Sequence, residues 1–332
     1  MALLGNTYFD LVDLYRRQDG SKNIADIIEL MTEMNPILDD ALTVECNKGA
    51  RHLTTIRTGL PDVAWGELYK GIVQSKSTTQ QVEDVTGFIE GLSSIDKRLL
   101  ELSDNESAVR LSEAQPFLEA MNNTMASAIF YESSDTNPKA FNGLATRFGS
   151  LSGQTGNQII DAGGTGADNT SVWFVTWGDK QCHLLYPKGT TAGLAREDKG
   201  EQRVTDSDGN PYYVKEEEFR WNVGLSVRDH RYVSRVANID ASDLAAGTVD
   251  VYCFLRKAFY SLQNRRVSGG KLAMYCNSDV LEALDAAAVN AGSSDNFTRL
   301  KPVEIEGKEV LTYRGIPIRE TDALLNTEAR VV

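Results

Sequence analysis

Two stretches of the chain carry apolar residues at three- and four-residue intervals. In several others apolar and polar residues alternate. From Asp10 to Asp40 the residues Ile24, Ile27, Ile28, Met31 and Met34 have helical spacing, and Pro36 limits how far that helix continues. With its polar flank Arg16 to Ser21, the segment reads either as an arm that packs on a neighbouring molecule or as an amphipathic surface helix. The stronger signal runs from Asp104 to Glu132, where Leu111, Leu118, Met121, Met125 and Ile129 recur on one face. At 1.5 Å per residue such a helix reaches about 40 Å. Asp104 or Ser107 is placed to cap its start, and Pro116 either kinks it or marks its true first turn.

Between these helices, Asn47 to about Gly91 is punctuated by Gly49, Gly59, Pro61, Gly66 and Gly71, which separate polar, Thr-rich runs at Leu53–Thr58 and Lys76–Val85. The runs predict a two-stranded hairpin with few apolar side chains. Such a hairpin is marginal alone and needs another surface to lie on. A long surface loop is the alternative.

After Pro138 the chain turns loop-like as far as Ala162-Gly163-Gly164-Thr165-Gly166-Ala167-Asp168. Val172–Trp177 and Cys182–Tyr186 then predict a hairpin turned by Gly178-Asp179-Lys180. Asp206 to Pro211 marks a second turn, followed by Tyr212–Lys215, the acidic triplet Glu216 to Glu218 and one long strand over Phe219–Ile239. Beyond it the reading is a helix over Thr248–Asn264, a strand at Leu272–Tyr275, a helix over Ser278–Ala291 capped by Ser278, and a strand at Ile316–Ile318. This is an α/β layer packed behind a sheet, and no repeat of 20 to 50 residues is visible.

Composition sets the class. The 332 residues are 41% hydrophobic and 24% charged, as in folded globular domains. A balance of 47 acidic against 34 basic residues gives −13, opposite to a surface that neutralises many phosphates. Cys46, Cys182, Cys253 and Cys276 lack C-x-x-C spacing and read as reduced, small buried side chains, which points to a reducing cytoplasm. Neither a secretory signal nor an apolar run of bilayer length stands in the sequence.

Each candidate for chemistry fails on a named residue. Gly163 to Gly166 lacks the Gly-Lys-Ser/Thr ending of a phosphate loop and reads as a flexible connection. Asp206-Ser207-Asp208-Gly209-Asn210 begins like a calcium loop, with Glu217 at its twelfth position, but Pro211 stands where that loop requires glycine. Gly149-Ser150-Leu151-Ser152-Gly153 has leucine where a nucleophile elbow has serine. Asp229 and His230 are strand neighbours that point to opposite faces, and His52, His183 and His230 read as structural or surface residues. Glu216, Glu217 and Glu218 read as a solvated loop, and Trp173, Trp177, Trp221, Tyr212 and Tyr213 as core. No catalytic, cofactor or metal residue is expected. An enzyme would have to gather Cys182, His183, Asp229 and His230 from a distance.

Several stretches are similar to tailed-bacteriophage major capsid proteins of the Hong Kong 97-like fold, in a branch found in short-tailed phages. They are Ala108-Val109-Arg110-Leu111-Ser112-Glu113, Phe117-Leu118-Glu119-Ala120-Met121-Asn122, Ile159 to Gly166, Gly224-Leu225-Ser226-Val227-Arg228-Asp229 and Arg231-Tyr232-Val233. The resemblance covers nearly the whole chain. It implies an α+β subunit with an N-terminal arm (1–46), an E-loop hairpin (47–92), a P-domain with a spine helix and long sheet strands (93–240) and an A-domain (241–332), with the element order permuted. It implies a shell of hexamers and pentamers around double-stranded DNA, without sequence-specific DNA binding, catalysis or membrane contact. The implied partners are further copies of the chain, a portal, a scaffolding protein and decoration proteins. No long removable segment precedes Asn47, so the scaffold is expected to be separate. A tail component or a carbohydrate-binding virion protein is the remaining alternative.

Overall fold

The computed structural model describes residues 35–103, 105–206, 208–266, 269–290, 300–305 and 308–332; the arm helix with Ile24 to Met34 lies outside them. The elements begin with α1 (Ile37–Asp40), β1 (Thr43–Glu45), β2 (Arg51–Gly59), β3 (Thr78–Asp96), α2 (Lys97–Glu101), α3 (Glu106–Tyr131) and α4 (Leu144–Arg147). Next come β4 (Ile159–Asp161), β5 (Asn169–Trp177), β6 (Cys182–Tyr186), β7 (Leu194–Thr205), β8 (Pro211–Val227) and β9 (Val233–Asp240). The chain continues through α5 (Ala241–Ala245), α6 (Val251–Ser261), β10 (Lys271–Cys276) and α7 (Ser278–Asn290) to β11 (Leu300–Ile305), β12 (Lys308–Tyr313) and β13 (Ile316–Glu320).

Every residue of β5 is buried. Side chains alternate across a strand, so its apolar run serves two cores at once. Trp173, Val175 and Trp177 face α3 together with Ile129, Phe130 and Phe148. Val172 and Phe174 face α6 and α7 with Leu255, Val280 and Leu284. Both edges of β5 are hydrogen-bonded, to β9 on one side and β10 on the other. This corrects the hairpin expected with β6. With both edges occupied, β5 meets β6 only at its last residue, where Trp177 pairs with Cys182 in parallel, and β6 instead pairs antiparallel with β8.

The single strand expected over Phe219–Ile239 is two. At Asp229 the side chain accepts a hydrogen bond from the Arg231 amide and caps a short 3-10 turn, His230–Tyr232. That turn carries the chain from β8, in the long sheet, to β9 beside β5. The expected division at 240/241 falls between β9 and α5, and β5, β9 and β10 form continuous sheet and core across it.

The long sheet is built on β3. From Thr86 to Asp96 it pairs with β8, and from Thr78 to Val85 it pairs only with β2. The hairpin of polar strands is therefore present, but its second strand runs on through Gly87 and Gly91 to Asp96. Gly91 is needed for close approach: a Cβ there would lie 3.0 Å from the Phe117 ring. The turn expected at Asp206 is present and joins β8 to an unexpected strand, β7, with the Asp206 carboxylate accepting from the Asp208 and Asn210 amides.

The long helix α3 runs without interruption through Pro116, and Asn105, not Asp104 or Ser107, caps it by accepting from the Ala108 amide. Its first half lies on β3 and β8, with Phe117 stacked on Phe219 at 5.6 Å. Its second half covers β5 and β10 through Met125, Ile129 and Phe130, whereas Leu111 points to solvent. A buried carboxylate, Glu217, ties its first half to the long sheet. Arg110 pairs with Glu217 and with Asp198 at 2.8 Å, and Arg196 reaches the same Glu217 at 2.7 Å. At the far end Asn277, one residue before the expected cap Ser278, caps α7 by accepting from the Val280 amide.

The C-terminal strand of irregular chain is held by a buried network. Glu328 accepts from Arg235 at 2.8 Å, from Tyr131 at 2.5 Å and from Ser171, while the Arg235 guanidinium lies 4.9 Å over Trp173. Both ions of the pair are 4% exposed at the side chain. Removing one partner of such a pair leaves an uncompensated buried charge. Glu328→Ala is expected to lower stability by about 3–5 kcal/mol in urea unfolding, whereas Glu197→Ala, at an exposed pair, should change it by less than about 1 kcal/mol.

Candidate assembly surface

The hairpin of β2 and β3 leaves the body as a two-stranded ribbon ending in residues 60–77, which form neither helix nor strand. Within this tip Ser75 donates to the Asp62 carbonyl, the Lys70 amide donates to the Glu67 carbonyl, and the Lys70 and Glu67 side chains pair. Its surface is unlike its strands. Leu60, Val63, Trp65, Leu68, Tyr69, Ile72 and Val73 are exposed by between 76% and 106%. The expectation of few apolar side chains holds for the strands and fails at the tip. A contiguous apolar surface rimmed by polar residues marks an interaction site. The signal was present between Gly59 and Ser75, but the interruptions at Pro61, Gly66 and Gly71 remove any period.

The base of the ribbon is tied to the body by side-chain contacts. Arg147 donates to Asp84 of β3 and to the Leu225 carbonyl of β8, both at 2.8 Å. His52 of β2 is buried, with its Nε2 2.8 Å from the Arg228 guanidinium. The ring of His183, on β6, meets it edge to face at 5.8 Å. Burial, then Arg228 and the facing His52, pushes His183 down to about 4, with Asp179 opposing. Burial and Arg228 lower His52 as well, against Asp84 and Asp179. Two neutral imidazoles are thus packed where the ribbon joins the body. No spacing in the sequence links these two histidines.

The remaining candidates are dispersed. Glu216 to Glu218 lie within β8, not in a loop, and each has a partner. Glu216 accepts from Ser94, Glu217 from Arg196 and Arg110, and Glu218 from Lys199 and Arg220. Asp229 pairs with Arg231, not with His230. Gly163 donates its amide to Asp161, and Gly164 donates to the Asn238 carbonyl, which ties the glycine-rich connection to β9. Burial pushes the Cys182 and Cys276 thiols up to about 12 and Cys46 to about 11. A thiol so protonated is a poor nucleophile. Trp173 and Trp177 are core residues, while Tyr213 is exposed. Among the described residues no three His, Cys, Asp or Glu side chains converge as metal ligands, and no helix is long and apolar enough to cross a membrane.

The subunit thus combines a polar ribbon with an apolar tip, a long helix packed on the sheet at its base and an α/β unit behind. The family model of major capsid protein GP7 matches residues 19–332. The chain belongs to this family. A chain of the bacteriophage Epsilon15 structure is 33% identical, with a TM-score of 0.80, covering 100% of this chain and 99% of that one. A Microbacterium phage Oxtober96 chain is 12% identical (TM-score 0.45, 68% and 98% covered), and the capsid of Myoviridae phage XM1 is 10% identical (TM-score 0.43, 71% and 100% covered). No curated protein sequence matches the chain. The GP7-family subunit is therefore a major capsid protein of a phage shell, α+β in class and Hong Kong 97-like in fold, and its place is the virion capsid.

The buried histidines give this capsid subunit a pH dependence. Unfolded histidine takes up a proton near 6.5, and folded His183 does so only near 4, so the unfolded chain binds more protons between those values. The contribution is complete above about 6.5 and is lost as pH falls towards 4, by about 3 kcal/mol in total. Urea unfolding at pH 7.5 and pH 5 should show a smaller loss in His183→Phe than in the unmodified chain; equal losses would rule His183 out as the source.

Proposed function

We propose that the chain self-assembles into hexamers and pentamers of an icosahedral shell that encloses phage double-stranded DNA, without catalysis. The observation that carries this reading is the apolar tip at 60–77. Burying one such large side chain contributes about 1.5–3 kcal/mol, and nothing within the described part of the subunit covers the seven of them. A neighbouring copy supplies the missing surface. Many modest contacts around a closed shell then sum to a stable lattice.

In this reading 47–92 is the E-loop, α3 is the spine helix, 93–240 is the P-domain and 241–332 the A-domain, with β5 and β9 shared between them. Residues 1–46 serve as the N-terminal arm. The element order is permuted relative to the commonest form of the fold, because the long strand β8 precedes the helices α6 and α7. Portal, scaffolding and decoration proteins are the further partners. The acidic balance of −13 keeps contacts with packaged DNA weak and independent of sequence. Assembly takes place in the host cytoplasm, consistent with four cysteines that form no disulfide.

Electron microscopy of the expressed chain, with and without a coexpressed scaffold, tests the reading: shells or capsomer rings are expected, and a persistent monomer would overturn it. Deleting Arg57 to Thr78 should abolish shells and leave the subunit melting as before. Trp65→Asp with Tyr69→Asp, both fully exposed, should do the same with no change of fold. Normal shells from either variant would show that the tip is not a contact.

A further inference from the structure

On this acidic chain one group of exposed cations is stacked on aromatic rings around α6. Arg256, Lys257 and Tyr260 stand on the outer face of α6, at the three- and four-residue spacing that makes helix neighbours. The Arg265 guanidinium lies 4.9 Å over the Tyr260 ring, and Arg314, at the turn between β12 and β13, lies 5.5 Å from the same ring and 5.2 Å from Phe259. Lys257 sits 5.2 Å over Phe254. A guanidinium stacked on a ring is held in place and keeps its N–H edge free for a carboxylate. Among the described residues no carboxylate lies within ion-pair distance of Arg256, Lys257, Arg265, Arg266 or Arg314, in contrast to the ion ladders along β7 and β8.

The same layer of helices carries the opposite charge elsewhere. Asp243 on α5 and Glu282 and Asp285 on α7 are exposed, α5 packs against α7, and none of the three has an ion-pair partner among the described residues. One subunit therefore presents exposed cations on α6 and the β12–β13 turn and exposed carboxylates on α5 and α7, and among the described residues forms no ion pair between them. A head-to-tail contact between identical subunits requires such a pair of different, complementary surfaces, and repetition of that contact closes a ring. A nucleic acid would also suit the basic patch, but a net charge of −13 opposes a polyanion and supplies carboxylates on every neighbouring copy.

We propose that the basic patch of α6 and the β12–β13 turn docks on the acidic α5–α7 patch of a second copy and sets the order and orientation of subunits within a capsomer ring. The proposal rests on the shell reading and adds the surfaces through which neighbours recognise each other. Charge at such a contact acts on register and choice of partner more than on raw affinity.

Charge reversal tests it on the full chain. Arg256→Glu with Arg265→Glu, and separately Glu282→Lys with Asp285→Lys, should each lose rings and shells while melting like the unmodified protein. All four substitutions together restore complementarity and should restore assembly. Mixing the two reversed variants should give rings of alternating subunits, which close with six members and not with five. Unimpaired shells from both reversed variants, or no rescue in a folded fourfold variant, would overturn the proposal. Normal shells from the Arg256→Glu, Arg265→Glu variant together with lost retention on double-stranded DNA would assign the patch to phosphate instead. Failure of the unmodified chain to form any ring removes the shell reading itself and this contact with it.

Discussion

The fold depends on β5 having no free side. Both of its faces are buried and both of its edges are paired, so it fixes the distance between the α3 layer and the α6–α7 layer and the register of the strands beside it. Moving it by one residue would send Trp173 and Trp177 towards α6 and α7, and Phe174 towards α3. Neither core has room for the exchange, because interiors are close-packed. Trp177 is fixed further by donating to Tyr275, which in turn donates to Asp40. Asp40 also receives Arg319 and Lys271, so the chain leaving α1 is bound to the sheet.

Much of this was legible in the sequence. Leu118, Met121, Met125 and Ile129 announced α3, and the Thr-rich runs announced β2 and the start of β3 through their alternation and turn residues. The misreadings share a cause. A strand's partners depend on which edges are free, and that is a property of the assembled sheet; Gly178 to Lys180 looked like a hairpin turn because nothing local shows that β9 and β10 already flank β5. The break at Asp229 was hidden in the same way, since only the side-chain cap distinguishes it from a polar position in a long strand. β7 was missed because its residues are almost all exposed and polar, with no apolar face to give a period.

The candidate surface shows the limits of pattern more sharply. Exposure, which is invisible in a sequence, is what sets Trp65 and Tyr69 apart from ordinary apolar residues. The acidic triplet went the other way: expected to be solvated, Glu217 is the buried anchor between Arg110 and Arg196. Such buried ions contribute less to net stability than their number suggests, and their value lies in orientation. Here the Arg110–Glu217 pair joins α3 to the long sheet.

The division of β3 between two partners has a mechanical consequence. From Thr86 to Asp96 the strand is clamped alongside β8, and from Thr78 to Val85 it is braced only by β2, so the ribbon is a cantilever with its fulcrum at the Asp84–Arg147 contact. Tension along the strand axis would load the whole β3–β8 ladder in shear, all its hydrogen bonds together. A sideways force would bend the slender ribbon first and leave the ladder untouched. The attachment of the ribbon is thus stiff along the strand axis and compliant across it.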